Sequence, residues 1–446
     1  MAAIVSDIIV VGGGISGLAT AFFLRRRGMA VSVLEAGDAP GGTIQTIERD
    51  GFLVDTGPTS TLYRGGALGD VIDALGLQAE LLEADRRAAR YIVKQDVLVP
   101  LPSSLGRFVT TPLFSAAAKL RLLAEPLHRR ATGEESIAQF VRRRIGPEFL
   151  DWAVDPFVSG VYAGDPERLS VRAAIPRLYA LEAEHGSLFI GALARAFAGK
   201  GGGAQPRGRL ISFRRGMQSL PRALANDLGA AVHLNAPVVS IEQRSGEWIA
   251  GTARGEHRAR RLVLAVPSYH AASLLAPVAP AAARDLEAIS YPPVASVALG
   301  FRRDQVRHPL DGFGALLPRR LGRETLGVIF SSTLFPGRAP AGHVLLTAFI
   351  GGARNAGAGE KGGQFLADRV LSDLAPLLGL DAAPIFRQVT LWSRAIPQYN
   401  LGHLERVGRI ERALQALPGL YLRANWRDGV SLADSVEHAK QLASSL

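Results

Sequence analysis

An α/β fold (α+β overall), built around a Rossmann-like dinucleotide-binding unit, is predicted for this 446-residue chain by three observations. The first is a strand-like run, Ile8-Ile9-Val10-Val11, entering the turn Gly12-Gly13-Gly14-Ile15-Ser16-Gly17. The second is a helical pattern that leads into another apolar run closing on Val33-Leu34-Glu35-Ala36. The third is the return of buried-strand patterns far along the chain, at Leu262 to Val266 and Ala295 to Phe301. Each part of the first unit has a physical task. Gly12 permits the tight turn, Gly14 lets backbone approach a pyrophosphate, and Gly17 lets helix and strand pack closely. The pyrophosphate then meets free N–H groups at a helix N-terminus, with Ser16 beside them. Glu35, 18 residues beyond Gly17, is placed to accept a ribose hydroxyl.

The glycine segment is uncharged from Ile8 to Leu24, yet falls short of the ~20 residues that a membrane span needs. Asp7 flanks it, and no basic leader or small-residue cleavage site precedes it. The expected setting is therefore the cytoplasmic side. With 48% hydrophobic residues the chain can bury a large core divided over two or three domains. It has no cysteine, which excludes disulfides, thiolate metal sites and cysteine nucleophiles. Electrons, if the chain moves them, must travel on a cofactor. The net charge is +11, and Lys contributes only five of the 51 basic residues. That balance favours anionic partners. Nucleic acid is not expected, for no binding motif accompanies the arginines.

A second glycine pair follows the second strand, in Pro40-Gly41-Gly42, and then Asp55-Thr56-Gly57-Pro58. The pair lets the chain pass close to another face of the same cofactor. One fingerprint, one extra glycine pair and a long remainder fit FAD held permanently better than NAD exchanged at each turnover. Beyond this unit, residues 66–84 read as helix and loop, and Arg86 to Pro102 as a short strand pair. Residues 103 to about 198 read as mostly helical. Gly201-Gly202-Gly203 with Pro206 and Gly208 reads as a flexible connection. Helix and strand return at 216–266, strands dominate 294–350, and Gly419 to Leu422 is a short strand before a helix from about Gly429.

Two internal stretches carry a family resemblance. Ser159-Gly160-Val161-Tyr162-Ala163-Gly164-Asp165-Pro166, with Leu169-Ser170 behind it, closely resembles protoporphyrinogen oxidases. So does Ile396-Pro397-Gln398-Tyr399-Asn400-Leu401-Gly402-His403-Leu404-Glu405. The flavin motif, Gly41-Gly42 and Gly57-Pro58 fall in that family's order, and the resemblance spans essentially the whole chain. The two stretches separate it from amine oxidases and carotenoid desaturases of the same flavoprotein superfamily.

The resemblance implies three domains. A discontinuous FAD-binding domain takes residues 1–84, 204–266 and 393–446. A mixed-sheet substrate domain takes 85–105, 190–203 and 267–392, and a helical membrane-associating domain takes 106–189. It further implies removal of six electrons from a porphyrinogen, with O2 reduced to H2O2 and no metal. The implied flavin contacts are Gly12, Gly14, Ser16, Gly17, Glu35, Ala36, Gly41 and Gly42. Gly57, Pro58, Val238, Asn425, Gly429 and Val430 complete them. The implied substrate contacts are Arg90 for a propionate, Gly160 by its backbone, and Leu316, Ile329 and Phe349 around the tetrapyrrole. Read from the residues alone, Arg90 is a solvated arginine and the other three are sheet core. No side chain is assigned as a catalytic acid or base, since a flavin N5 can take the hydride and the protein mainly orients two rings.

Some positions depart from the family pattern. Thr43 and Gln45 stand where Arg or Lys is common, and Arg215 replaces a glycine before Gly216. The C-terminal signature reads Ala424-Asn425-Trp426-Arg427-Asp428-Gly429-Val430-Ser431. Ala424 is expected to weaken flavin binding if its backbone needs a glycine-only conformation, at a cost of ~1 kcal/mol. Ser431 adds bulk but is a good N-cap. Leu98 to Arg144 interleaves Leu113-Phe114 and Leu120 to Leu123 with Arg107, Lys119, Arg121, Arg129 and Arg130. This suits peripheral contact with anionic lipid. A homodimer stays open. The competing readings are coproporphyrinogen III as substrate, an amine oxidase or carotenoid desaturase, and a silent tetrapyrrole carrier without FAD.

Overall fold

A computed structural model describes residues 4–191, 194 and 208–446. The predicted glycine connection at 201–206 and part of the 190–203 segment lie outside the described residues.

The first sheet explains the uninterrupted apolar run at the chain start. Ile4–Val11 lies between parallel neighbours Val31–Leu34 and Gly255–Leu264, with Val232–His233 and Leu420–Leu422 at the flanks. Val238–Arg244 and Glu247–Thr252 extend it as an antiparallel meander onto the first half of Gly255–Leu264. Both faces are covered, as parallel strands require. Ile8 and Val10 face one core, with helices Ile15–Arg26, Gly66–Ala74, Ser219–Leu228 and Leu432–Ser445. Ile9 and Val11 face the other, with helices Ser268–Leu275, Pro280–Glu287 and His403–Leu414 and the buried Trp248 and Trp426.

The second sheet is mixed. Its strand order is Phe386–Trp392, Val294–Arg302, His343–Gly351, Thr325–Ile329, Gly312–Leu316, Ala89–Lys94 and Val97–Pro100. Only the contact of Gly312–Leu316 with Ala89–Lys94 is parallel. Alternation sorts its side chains. Val297, Leu299, Leu346 and Ala348 point to a dry core under helix Gly363–Leu378. Ala298 and Leu345 point the other way, onto Phe52 and Val54 of the hairpin Thr46–Arg49/Phe52–Asp55. Further along that second face, Ile92 and Leu316 meet a helical unit with its own core of Ile137, Phe140, Phe149 and Val158. A small third sheet joins Thr61–Tyr63 and Leu81–Glu83 to Arg209–Phe213.

Several local expectations change here. Residues 66–84 end in the strand Leu81–Glu83 rather than in loop, because its partner Arg209–Phe213 arrives from far along the chain. The C-terminal helix begins at Leu432, after a separate turn of helix at Asn425–Asp428, because Gly429 breaks the path at φ +102°.

Candidate active site

The glycine turn forms an open cradle. Gly12 sits at φ +106°, and a Cβ on it would lie 2.6 Å from the Ala265 carbonyl oxygen. A Cβ on Gly17 would lie 1.9 Å from the Gly12 carbonyl oxygen, so the helix can start here only without a side chain. Gly14 has open space where its Cβ would be, and it begins helix Ile15–Arg26 with no side chain capping the free N–H groups. Ser16 lies in that first turn, half-buried. The Gly41 N–H donates to the Gly13 carbonyl oxygen at 2.8 Å, and Gly42 passes over Gly14. Gly57 lies so close to Thr43 that a Cβ would fall 1.9 Å from its carbonyl oxygen. Pro58 is exposed just beyond.

Glu35 ends its strand beside this turn. Its Oε2 accepts the Gly13 N–H at 2.6 Å and its Oε1 the Gly37 N–H at 2.7 Å. Each oxygen keeps a lone pair for a ribose hydroxyl. The Ala236 N–H donates to the Glu35 carbonyl oxygen, which brings the start of Val238–Arg244, and so Val238, alongside exposed Ala36. An open cradle, an uncapped helix start and a carboxylate with free lone pairs fit a dinucleotide.

The C-terminal turn is held by the second internal motif. The Tyr399 hydroxyl donates to the Asn425 carbonyl oxygen and accepts the Gly429 N–H at 3.0 Å. Tyr399 stacks on His403 at 4.3 Å, and a His403 ring nitrogen bonds the Trp426 carbonyl oxygen at 2.9 Å. Burial lowers the His403 pKa to about 4, so the ring is neutral at pH 7. Val430 is half-buried against the helical unit. The three departures carry no backbone strain. Ala424 is extended at φ −157°, and Arg215 is exposed with no positive φ, so neither backbone conformation requires glycine. Ser431 caps its helix through the Asp434 N–H at 3.1 Å. Thr43 and Gln45 are exposed, with Gln45 bonded back to the Gly42 carbonyl oxygen.

The two internal motifs, distant in sequence, are bonded to each other. The Ser170 N–H donates to the Tyr399 carbonyl oxygen at 2.8 Å, the Leu401 N–H to the Arg168 carbonyl oxygen at 2.9 Å, and Gln398 Nε2 to the Tyr162 carbonyl oxygen at 2.9 Å. Glu134 accepts from both Ser170 Oγ and the Gly402 N–H. The sequence assigns Tyr399 no role of its own; its only signal there is its place before Asn400-Leu401-Gly402 in the second motif, and the role becomes visible with its burial.

The substrate-contact candidates share one face of the second sheet. Leu316 lies opposite Gly327, and Gly327 opposite Phe349. In the next row Arg90 lies opposite Gly314, Gly314 opposite Ile329, and Ile329 opposite Thr347. Leu316, Ile329 and Phe349 are half-buried, although the residues flanking each in its strand are buried. Arg90 is exposed, with its guanidinium 5.1 Å over the Phe313 ring and no carboxylate partner among the described residues. Gly160, in helix Asp155–Tyr162, faces this row from the helical unit, and a Cβ on it would lie 2.4 Å from Leu316 Cδ2. A flat ring between these walls therefore requires the Leu316 side chain to turn aside.

The flavin-containing amine oxidoreductase family model matches residues 15–445. The chloroplastic protoporphyrinogen oxidase of Oryza sativa subsp. japonica is 38% identical over 99% of this chain and 88% of its own length. The coproporphyrinogen III oxidase of Bacillus subtilis is 28% identical over 98% of this chain and 97% of its own. The crystal structure of an Exiguobacterium sp. 255-15 protein assigned to the protoporphyrinogen oxidases superposes with a TM-score of 0.85 at 28% identity, covering 100% and 99% of the two chains. The cofactor is FAD, a flavin by family and a dinucleotide by its cradle. From the glycine cradle to the paired internal motifs, this chain belongs to the flavin-containing amine oxidoreductases, in their protoporphyrinogen oxidase branch.

Proposed function

We propose that this chain oxidises protoporphyrinogen IX to protoporphyrin IX, with O2 as terminal acceptor and H2O2 as product. The chemistry that FAD would supply, when bound in this cradle, is hydride acceptance in each two-electron step and return of the electrons to O2. The chain's own residues hold and align the two partners. The Gly12–Gly17 turn and the start of helix Ile15–Arg26 hold the pyrophosphate, Glu35 the ribose, and Tyr399 fixes the turn Asn425 to Gly429. The observation that carries the substrate reading is the shared sheet face. Leu316, Ile329 and Phe349 offer an apolar wall, and the unpaired Arg90 stands at its edge. An oily macrocycle with acidic propionates fits an apolar slot with a cation at its rim.

Purified protein incubated with protoporphyrinogen IX and, separately, coproporphyrinogen III, with and without oxygen, tests this. Oxygen-dependent porphyrin fluorescence with peroxide supports it, and a faster reaction of coproporphyrinogen III would move the substrate to the tetracarboxylate. Bound flavin without any enzyme-dependent porphyrin would refute it.

We further propose peripheral docking on the cytoplasmic face of a membrane. Leu105, Leu120, Leu123 and Leu127 are 79%, 66%, 74% and 85% exposed, beside the exposed Arg107, Arg121 and Arg129. This mixture suits an anionic lipid surface. No helix among the described residues is long and apolar enough to cross a bilayer. Wild-type protein is expected to sediment with anionic vesicles and not with zwitterionic ones. Leu123→Glu/Leu127→Glu protein is expected to stay in solution; equal sedimentation of the two would exclude this surface.

A further inference from the structure

Beside the slot, on the same face of the sheet, lies a polar pocket whose Asp55, Ser331 and Thr347 have no role in the substrate and cofactor contacts above. Asp55 closes the strand Phe52–Asp55 and is 4% exposed. Its Oδ1 accepts from Thr46 Oγ1 at 2.7 Å and the Met217 N–H at 2.8 Å. Its Oδ2 has only the Arg338 guanidinium, at 3.4 Å. Arg338 is itself fixed by Ser212 Oγ at 2.7 Å and the Phe213 carbonyl oxygen at 3.1 Å. Between these groups and the second sheet is a small cavity with room for about one water molecule. Asp55, Arg338 and Thr59 line it on one side, and Ile329, Ser331 and Thr347 on the other. Ser331 Oγ and Thr347 Oγ1 share a hydrogen bond of 2.8 Å.

The cavity and the slot have a common wall. Thr347 stands directly opposite Ile329, one row from the pair Gly327 and Phe349. Thr59 follows Pro58 at the cofactor side. We propose that the hydroxyl pair Ser331–Thr347, a water in this cavity and the Asp55 carboxylate form a proton relay serving the oxidation at the slot face. The proposal rests on the porphyrinogen reading. Over the three two-electron steps, three C–H bonds give their electron pair and hydrogen as hydride, and three protons leave, two from N–H bonds and one from a meso C–H bond. Each reduction of O2 to H2O2 takes up one hydride's two electrons and hydrogen, plus one further proton. A group that holds the proton released in each step and returns it closes the balance of every step without bulk water. Burial raises the Asp55 pKa from its ordinary value, against the opposing pull of Arg338 and its hydrogen bonds, and that direction favours such uptake and return.

Two variants and one spectrum test this. Thr347→Val keeps the shape and removes the hydroxyl, while Asp55→Asn keeps the size and the bond from Met217. With protoporphyrinogen IX, kcat is expected to fall on the order of 100-fold in Asp55→Asn and about tenfold in Thr347→Val. KM and flavin content should stay near wild type, and the solvent deuterium isotope effect on kcat should grow in Thr347→Val. Photoreduction of the flavin without substrate should reveal a protonated-carboxyl infrared band that Asp55→Asn lacks. Unchanged kcat and isotope effect in Thr347→Val would overturn the relay, as would a band that persists in Asp55→Asn. Should Asp55→Asn fail to fold, Thr347→Val decides alone. If wild-type protein oxidises no porphyrinogen although the Asp55 band is present, the substrate reading fails and the protonation of Asp55 stands.

Discussion

The cofactor cradle and the slot face are built by opposite means. In the cradle, backbone makes the site, and side chains are excluded from it: a Cβ on Gly17 or Gly57 would fall 1.9 Å from a carbonyl oxygen. On the proposed slot face, side chains would make the site on an ordinary mixed sheet, and any apolar residues would satisfy the strand pairing. Leu316, Ile329 and Phe349 are half-buried positions between buried neighbours in strands whose sequence reads as ordinary sheet core. A backbone site leaves glycines at fixed spacing in the sequence, whereas a side-chain site leaves only a sheet pattern. The first is therefore readable without a relative and the second is not.

Substitutions can break this contrast, beginning with the largest expected effect. Gly17→Ala should yield flavin-free or unfolded protein, since the clash is with backbone and exceeds ordinary overpacking of ~1–3 kcal/mol. Normal flavin absorbance in that variant would show that the turn can relax. In the helical unit, Arg144 is fully buried between Glu125 and Glu182. Arg144→Ala leaves the buried Glu125 without its cation, while Glu182 keeps Arg143, and should cost about 3–5 kcal/mol in denaturant unfolding. Loss below ~1 kcal/mol would mean water replaces the guanidinium.

Arg90→Ala should lose about 1.5–3 kcal/mol of porphyrinogen binding, read as KM, at unchanged flavin content. A parallel loss of flavin would make Arg90 structural. Phe349→Ala should lower turnover more than thermal stability, and the reverse pattern would return Phe349 to the core. Ala163 ends helix Asp155–Tyr162 at φ +48°. Ala163→Gly should stabilise by about 1 kcal/mol by removing the left-handed strain, and a drop in Tm would assign that methyl to packing.

The two regions also differ in what the sequence concealed. The turn at Gly12, the strand pair after Arg86 and the buried strand at Leu262 follow from local pattern. The helix His403–Leu414 carries Val407, Ile410 and Leu414 at helical spacing on its inner side with its charges outward, so its period is legible in the sequence too. The strand Leu81–Glu83 has no local signal, since its only partner comes from Arg209–Phe213. Ala424 and Arg215 stand where the family pattern has glycine, and the backbone there is extended and ordinary rather than left-handed. A glycine pattern records where glycine is tolerated as well as where it is required. The pairing of the two internal motifs is a tertiary fact, visible only once Ser170 meets Tyr399.

The most direct test of the account is a crystal structure of the FAD-loaded protein with bound porphyrin. The account predicts the ring between the Leu316, Ile329 and Phe349 face and Gly160, with Leu316 turned aside and a propionate at Arg90. A porphyrin seated elsewhere, with Leu316 still against Gly160, would contradict it.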